Sequence, residues 1–222
     1  MPNLPISGLP ASSTLDGSEL FADVQGGVTK YTTLSDIATY TTYVQGNSYG
    51  LFNQTGSSAI ISGSASDAPT SGSLLDGGVG SLTVPANGFK VGDAFHAKLA
   101  GKINIANGHT LEIHFTSGDV NLVDTGVVTM AKSTDGQNWN LDVTFIIQTI
   151  GSAGTASILS SGELTVRKDA SGEVVTEIFS SQNNTTFDTT IVNTLSIEGI
   201  LGAACIASEN IYSELFTLHK IY

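Results

Sequence analysis

The sequence predicts an all-β protein: a jelly-roll or β-sandwich head preceded by a small N-terminal hairpin-plus-helix anchor. Three observations predict it. Charged residues make up 13% of the 222 residues and Gly numbers 25, so the Glu and Lys that cover the wet faces of helical bundles are missing. Mean hydropathy is +0.15, unlike that of chains too polar to fold. Residues 81–222 alternate apolar and polar side chains with the period of two of a half-wet sheet. A chain of this mass buries about 70% of its unfolded surface, enough for a substantial core.

Three zones follow in order. Residues 1–45 read as a small module. Leu9-Pro10 ends an extended piece, because a residue before proline avoids the α region. Glu19–Val24 reads as a strand, Gly26-Gly27 supplies a hairpin turn, and Val28–Tyr31 returns. Thr33-Leu34-Ser35-Asp36 fits a helix cap, with Leu34, Ile37 and Ala38 on one side of a short helix. Such a module cannot bury enough surface to stand alone and is expected to dock on something else. Residues 46–80 are rich in Gly and Ser and read as a linker. Tyr49–Asn53 and Ala59–Ser62 are possible added strands, and 63–80 a long loop.

Residues 81–222 carry eight to ten strands. Ala94–Ile105 is a long strand with Gly101 as a bulge, and Asn107-Gly108 is a hairpin turn. Leu111, Ile113 and Phe115 alternate with Glu112 and His114. Ser117–Asp119 turns, and Val120–Met130 is a strand bent at Gly126. Asp135-Gly136 turns again, and Leu141, Val143, Phe145 and Ile147 alternate with polar positions. Thr155–Arg167, Glu173–Phe179, Thr194–Ile200, Ala203–Ala207 and Asn210–Tyr222 complete the series, which is the pattern of a sandwich or jelly roll. Counted strictly by twos, the last strand has apolar residues on both faces. That suggests a place at the centre of a sheet or against a partner subunit, the latter with Leu215, Phe216 and Leu218 at a trimer interface.

The net charge is −12, and no basic residue occurs between Lys30 and Lys90. Nucleic-acid binding and attraction to anionic membranes are therefore not expected. No stretch has the length of a membrane span, and residues 1–10 show no secretory signal. The single cysteine, Cys205, excludes a disulfide scaffold and reads as a small buried hydrophobe. No nucleophile elbow, dinucleotide fingerprint, phosphate loop or His-Glu-x-x-His motif occurs. No cofactor or metal site and no catalytic residues are expected. The alternatives are a His96–His114–Asp93 metal site and calcium between Asp119 and Asp124. Trp139 reads as packing at the rim of the fold, with a glycan-stacking platform as the alternative. The Asn-x-Thr matches at Asn53, Asn183 and Asn184 read as chance.

Two stretches resemble known families. Ile6-Ser7-Gly8-Leu9-Pro10, with Glu19, Leu20, Val24, Gln25, Gly26, Gly27, Thr29 and Thr33, resembles the N-terminal module of phage and large-virus fibre or spike proteins. The resemblance implies a virion-attachment segment, with Leu9, Leu20, Val24, Gly26, Gly27 and Thr33 meeting a capsid or tail protein. Phe89–Phe95, Leu111–Ile113 and Asn210–Leu218 resemble the tumour-necrosis-factor-like jelly-roll head of viral fibres. That resemblance implies a homotrimer. The expectation is a non-enzymatic virion structural protein whose head serves host attachment or decoration through a surface glycan or protein. A glycan-degrading spike enzyme and a ligand-free cement protein are the alternatives.

Overall fold

The computed structural model describes residues 20–25, 28–33, 50–64, 68–168 and 172–221, and every regular element among them is a β-strand. The chain forms two compact units, Met1–Gly46 and Asn47–Tyr222. In the first, β1 (Leu20–Gln25) pairs antiparallel with β2 (Val28–Thr33), Leu20 opposite Thr33 and Gln25 opposite Val28. This is the expected hairpin. The expected helix lies outside the described residues.

The second unit is a sandwich of two antiparallel sheets. The large sheet runs in the order β14 (Val174–Asn183), β13 (Ser157–Arg167), β12 (Ser133–Thr149), β8 (Ala94–Ile105), β16 (Asn210–Lys220), β3 (Leu51–Gln54) and β6 (Gly78–Ser81). A short β4 (Ile61–Ser62) also pairs with β16. The small sheet runs β10 (Val120–Asp124), β9 (Thr110–Ser117), β15 (Asn193–Leu201) and β5 (Thr70–Ser73). In it β11 (Val128–Thr129) adds to β9 and β7 (Thr83–Val84) to β15.

Alternation decides which side chains fill the space between the sheets. From β8, Phe95, Ala97, Leu99, Ile103 and Ile105 face inward; from β12, Trp139, Leu141, Val143, Phe145 and Ile147 do the same. Leu111, Ile113 and Phe115 of β9 and Leu195, Ile197 and Leu201 of β15 meet them from the small sheet, forming one continuous apolar cluster. Each fully buried large side chain contributes about 1.5–3 kcal/mol relative to exposure.

Within the large sheet, β8 and β16 approach closely at Gly101. Gly101 lies opposite Ser213, and the register shifts between Ser213 and Leu215. A Cβ on Gly101 would collide with the Tyr212 carbonyl oxygen and lie 2.8 Å from Ser213 Cα. The Trp139 indole N–H fills the space beside Gly101, donating to the carbonyls of Lys102 and Tyr212 at 3.2 Å each. The bulge thus sits in β16, not in β8 as the sequence suggested. It changes the parity of the last strand, so Ile211, Ser213, Phe216 and Leu218 all point inward. The two-sided apolar reading of that strand is corrected by this shift.

Other expectations are corrected by pairing. Asn107-Gly108 is not a hairpin turn, because β8 and β9 belong to different sheets; it is an arch between them. Asp135-Gly136 lies within β12, at a register shift between Ser133 and Gln137. Ala203–Ala207 belongs to the loop between β15 and β16 rather than to a strand. Residues 46–80 supply β3, β4, β5 and β6, all hydrogen-bonded into the two sheets.

Gly101→Ala is expected to lower stability by about 1–3 kcal/mol through overpacking. Gly77, with no atom within 4 Å of a built Cβ and no left-handed φ, is the control. Gly77→Ala should stay within about 0.5 kcal/mol, as read by urea denaturation of both variants.

Candidate functional site

The outward face of the large sheet carries His96, Asp142, Thr144, Thr217 and His219. His96 Nε2 lies 2.8 Å from Asp142 Oδ1, and His219 stands opposite His96 across the β8–β16 pair. Lys102 Nζ donates to Asn138 Oδ1 at 2.7 Å on the same face. The His96–His114–Asp93 set does not form. His96 and His114 belong to different sheets, and buried Asp93 pairs with Lys220 at 2.9 Å.

The outward face of the small sheet gathers a second group. Glu112 and His114, two residues apart on β9, share a face. Asp124 of β10 is the register partner of His114, and Glu198 of β15 is its partner on the other side. His114 Nε2 lies 2.8 Å from Glu112 Oε1 and 3.4 Å from Asp124 Oδ1. Asp124 Oδ1 also accepts the Gly126 N–H at 2.7 Å. Behind it, the Thr125 hydroxyl accepts the Ile113 N–H at 2.9 Å, and the Thr125 N–H donates to the Ile113 carbonyl. The turn after Asp124 is thereby fixed to β9. Asp119 lies at the other end of β10, roughly 16 Å away along an extended strand, so the pair weighed for calcium does not converge.

A third group closes one end of the sandwich. Glu209 is buried, with 4% exposure. Its carboxylate accepts the N–H groups of Ala106 at 2.5 Å and Ile206 at 2.7 Å, and both its oxygens lie 2.9 Å from His109 Nδ1. One side chain therefore joins the Asn107-Gly108 arch to the loop that precedes β16. Burial opposes its ionisation, yet the two N–H donors and the imidazole outweigh burial and hold the carboxyl below the usual glutamate range. Cys205, beside it, is buried, and burial followed by the charge of Glu209 pushes its thiol up. This suits the inert role expected for it.

The residues singled out from sequence are distributed as follows. Leu20 and Val24 belong to β1 and Thr33 to β2, whereas Leu9, Gly26 and Gly27 lie outside the described residues. Phe216 and Leu218 are in the chain's own core, while Leu215 at the bulge is 43% exposed. Trp139 is 1% exposed and cannot stack on a glycan. Asn183 Oδ1 accepts the N–H groups of Thr185, Thr186 and Phe187, and its amide donates to the Asn121 carbonyl at 2.7 Å. The side chain is a structural tie between β14 and β10. Glu198 and Glu209 were not singled out. Nothing local marks either, because their partners come from strands or loops distant in sequence.

No family model and no curated protein matches the chain. Among solved structures it is similar to a "lectin UEA-II complexed with galactose", at 10% identity and a TM-score of 0.37, covering 77% of this chain and 93% of that one. A "lectin II from Ulex europaeus" gives 10% identity and a TM-score of 0.34 over the same shares. The "CBM2 module of Lactobacillus casei BL23 phage J-1 evolved Dit" gives 12% identity and a TM-score of 0.24, covering 74% of this chain and 77% of that one. Overlaps this loose assign neither ligand nor activity to the chain. Its class, an all-β sandwich of jelly-roll type, follows from its own strand pairing.

Glu209→Gln is expected to cost about 1–3 kcal/mol at neutral pH by weakening charge-assisted hydrogen bonds. A carboxyl held low in the folded state contributes fully above the ordinary glutamate range, about 4.3, and less as pH falls through and below it. The variant should therefore lose stability less steeply on acidification than the parent, as read by thermal melts at successive pH values.

Proposed function

We propose that the chain is a virion structural protein, mounted on a capsid or tail protein through residues 1–45 and presenting the sandwich for host attachment or decoration. The observation that carries this reading is the division of the chain into two units, Met1–Gly46 and Asn47–Tyr222. Among the described residues the first unit shows the β1–β2 hairpin, and a two-stranded hairpin by itself is marginal in water, which suits a segment stabilised by a partner. The sandwich holds a continuous core of its own. The resemblance of the opening residues to fibre and spike modules supports the same assignment, with Leu9, Leu20, Val24, Gly26, Gly27 and Thr33 as the mounting residues.

The head's surface chemistry narrows the kind of contact it makes. Among the described residues every aromatic ring of the sandwich is buried or half-buried, so recognition of a host glycan or protein rests on hydroxyl, amide and charged groups rather than stacking. Such contacts are individually weak, and several copies on one particle would multiply them. A homotrimer is the form this reading favours, with Leu215 as the remaining candidate contact among the three interface residues.

Particles assembled with a chain lacking Asn47–Tyr222 should form but fail to adsorb to host cells; particles that fall apart would favour the cement role. Leu215→Asp is expected to convert a trimer to single copies in sedimentation equilibrium. A trimer that persists would remove Leu215 from the interface.

A further inference from the structure

We infer that Glu112, His114 and Asp124 bind a divalent transition ion of the zinc or manganese class on the outward face of the small sheet. One oxygen from each carboxylate and His114 Nε2 lie within 4.8 Å of one another. The imidazole nitrogen faces both carboxylates at once, at 2.8 and 3.4 Å. It carries at most one proton, so a single N–H at most is shared between two carboxylate oxygens. Among the described residues no Lys or Arg pairs with Glu112 or Asp124. Glu198, the register partner of His114 on β15, adds negative charge to the same face without joining the three close donors.

The spacing fits an ion. With metal–nitrogen and metal–oxygen bonds of about 2.0–2.1 Å, neighbouring donors of a tetrahedral shell stand about 3.3–3.4 Å apart. His114 and Asp124 already have that separation, and Glu112, on a half-buried side chain with rotatable bonds, needs to retreat by about half an ångström. The frame is prepared. His114 and Asp124 are on paired strands, Asp124 is oriented by the Gly126 N–H, and Thr125 fixes the intervening turn to β9. Outer contacts of this kind orient metal ligands and strengthen binding.

The donor chemistry selects the ion. Calcium takes six to eight oxygens, and magnesium keeps most of its water. An imidazole combined with carboxylates suits zinc or manganese. The group at His109, Cys205 and Glu209 is different: Glu209 is buried and each of its two oxygens accepts a backbone N–H, whereas among the described residues Asp124 accepts a backbone N–H at Oδ1 alone.

The test uses the full-length protein, stripped with a chelator and titrated calorimetrically with ZnCl2 and, separately, MnCl2. One equivalent should bind. His114→Ala and Asp124→Asn should each weaken binding by about ten-fold or more, and His96→Ala, which alters a surface histidine on the other sheet, should leave it unchanged. Thermal melts of each metal-free variant check that the sandwich is intact; if His114→Ala does not fold, His114→Gln replaces it. Absence of saturable binding of either ion would overturn the inference. So would binding that survives both site substitutions or is lost in His96→Ala.

Discussion

The sandwich depends on β8 being paired along both edges while one of its faces is entirely apolar. Pairing with β12 and β16 satisfies its backbone, as a buried strand requires. Its inward row, from Phe95 to Ile105, then has to be covered, and β9 and β15 cover it. Gly101 is the point at which this arrangement is most sensitive. It lets β16 approach closely enough for the Trp139 indole to tie carbonyls of β8 and β16 together. The bulge opposite Gly101 then decides which residues of the last strand face inward.

That geometry uses up the interior and leaves chemistry to the outward faces. The inward apolar side chains and Trp139 are committed to packing, and Glu209 with His109 is committed to closing the arch beside β16. The outward faces keep polar groups beside exposed apolar residues such as Ile146, Leu159 and Ile178. The large sheet offers an imidazole–carboxylate pair. The small sheet offers one imidazole amid three carboxylates, held on a fixed turn. A chain with few charged residues presents such local groupings rather than a broad electrostatic field, and its acidic balance disfavours polyanionic partners.

Much of the fold was legible because period-two alternation is a local property. Leu111–Phe115 and Leu141–Ile147 declare their buried faces without knowledge of their neighbours. Pairing is not local. Asn107-Gly108 has the chemistry of a tight turn, yet only the partners of β8 and β9 decide that it bridges two sheets. Trp139 looks like a rim residue because Asn138 and Asn140 flank it, although in a strand those two point the other way. Glu214 carries no signal that it occupies a bulge, and one extra residue inverts the reading of all that follows it. The candidate site divides in the same way. Glu112 and His114 are recognisable as same-face neighbours, whereas Asp124 joins them through a register shift between Asn121 and Val123. Glu198 joins them only through pairing with a strand some eighty residues on.

The sandwich has a continuous core within one chain, and the proposal is that the front hairpin takes its stability from a particle. Amide hydrogen exchange on the full-length protein in isolation addresses both halves at once. The account predicts strong, cooperative protection across β8, β9, β12, β15 and β16 and rapid exchange in β1 and β2, which slows on incorporation into particles. Protection of β1 and β2 equal to that of β8 in the isolated protein would contradict it, as would a sandwich whose core amides exchange freely until copies associate.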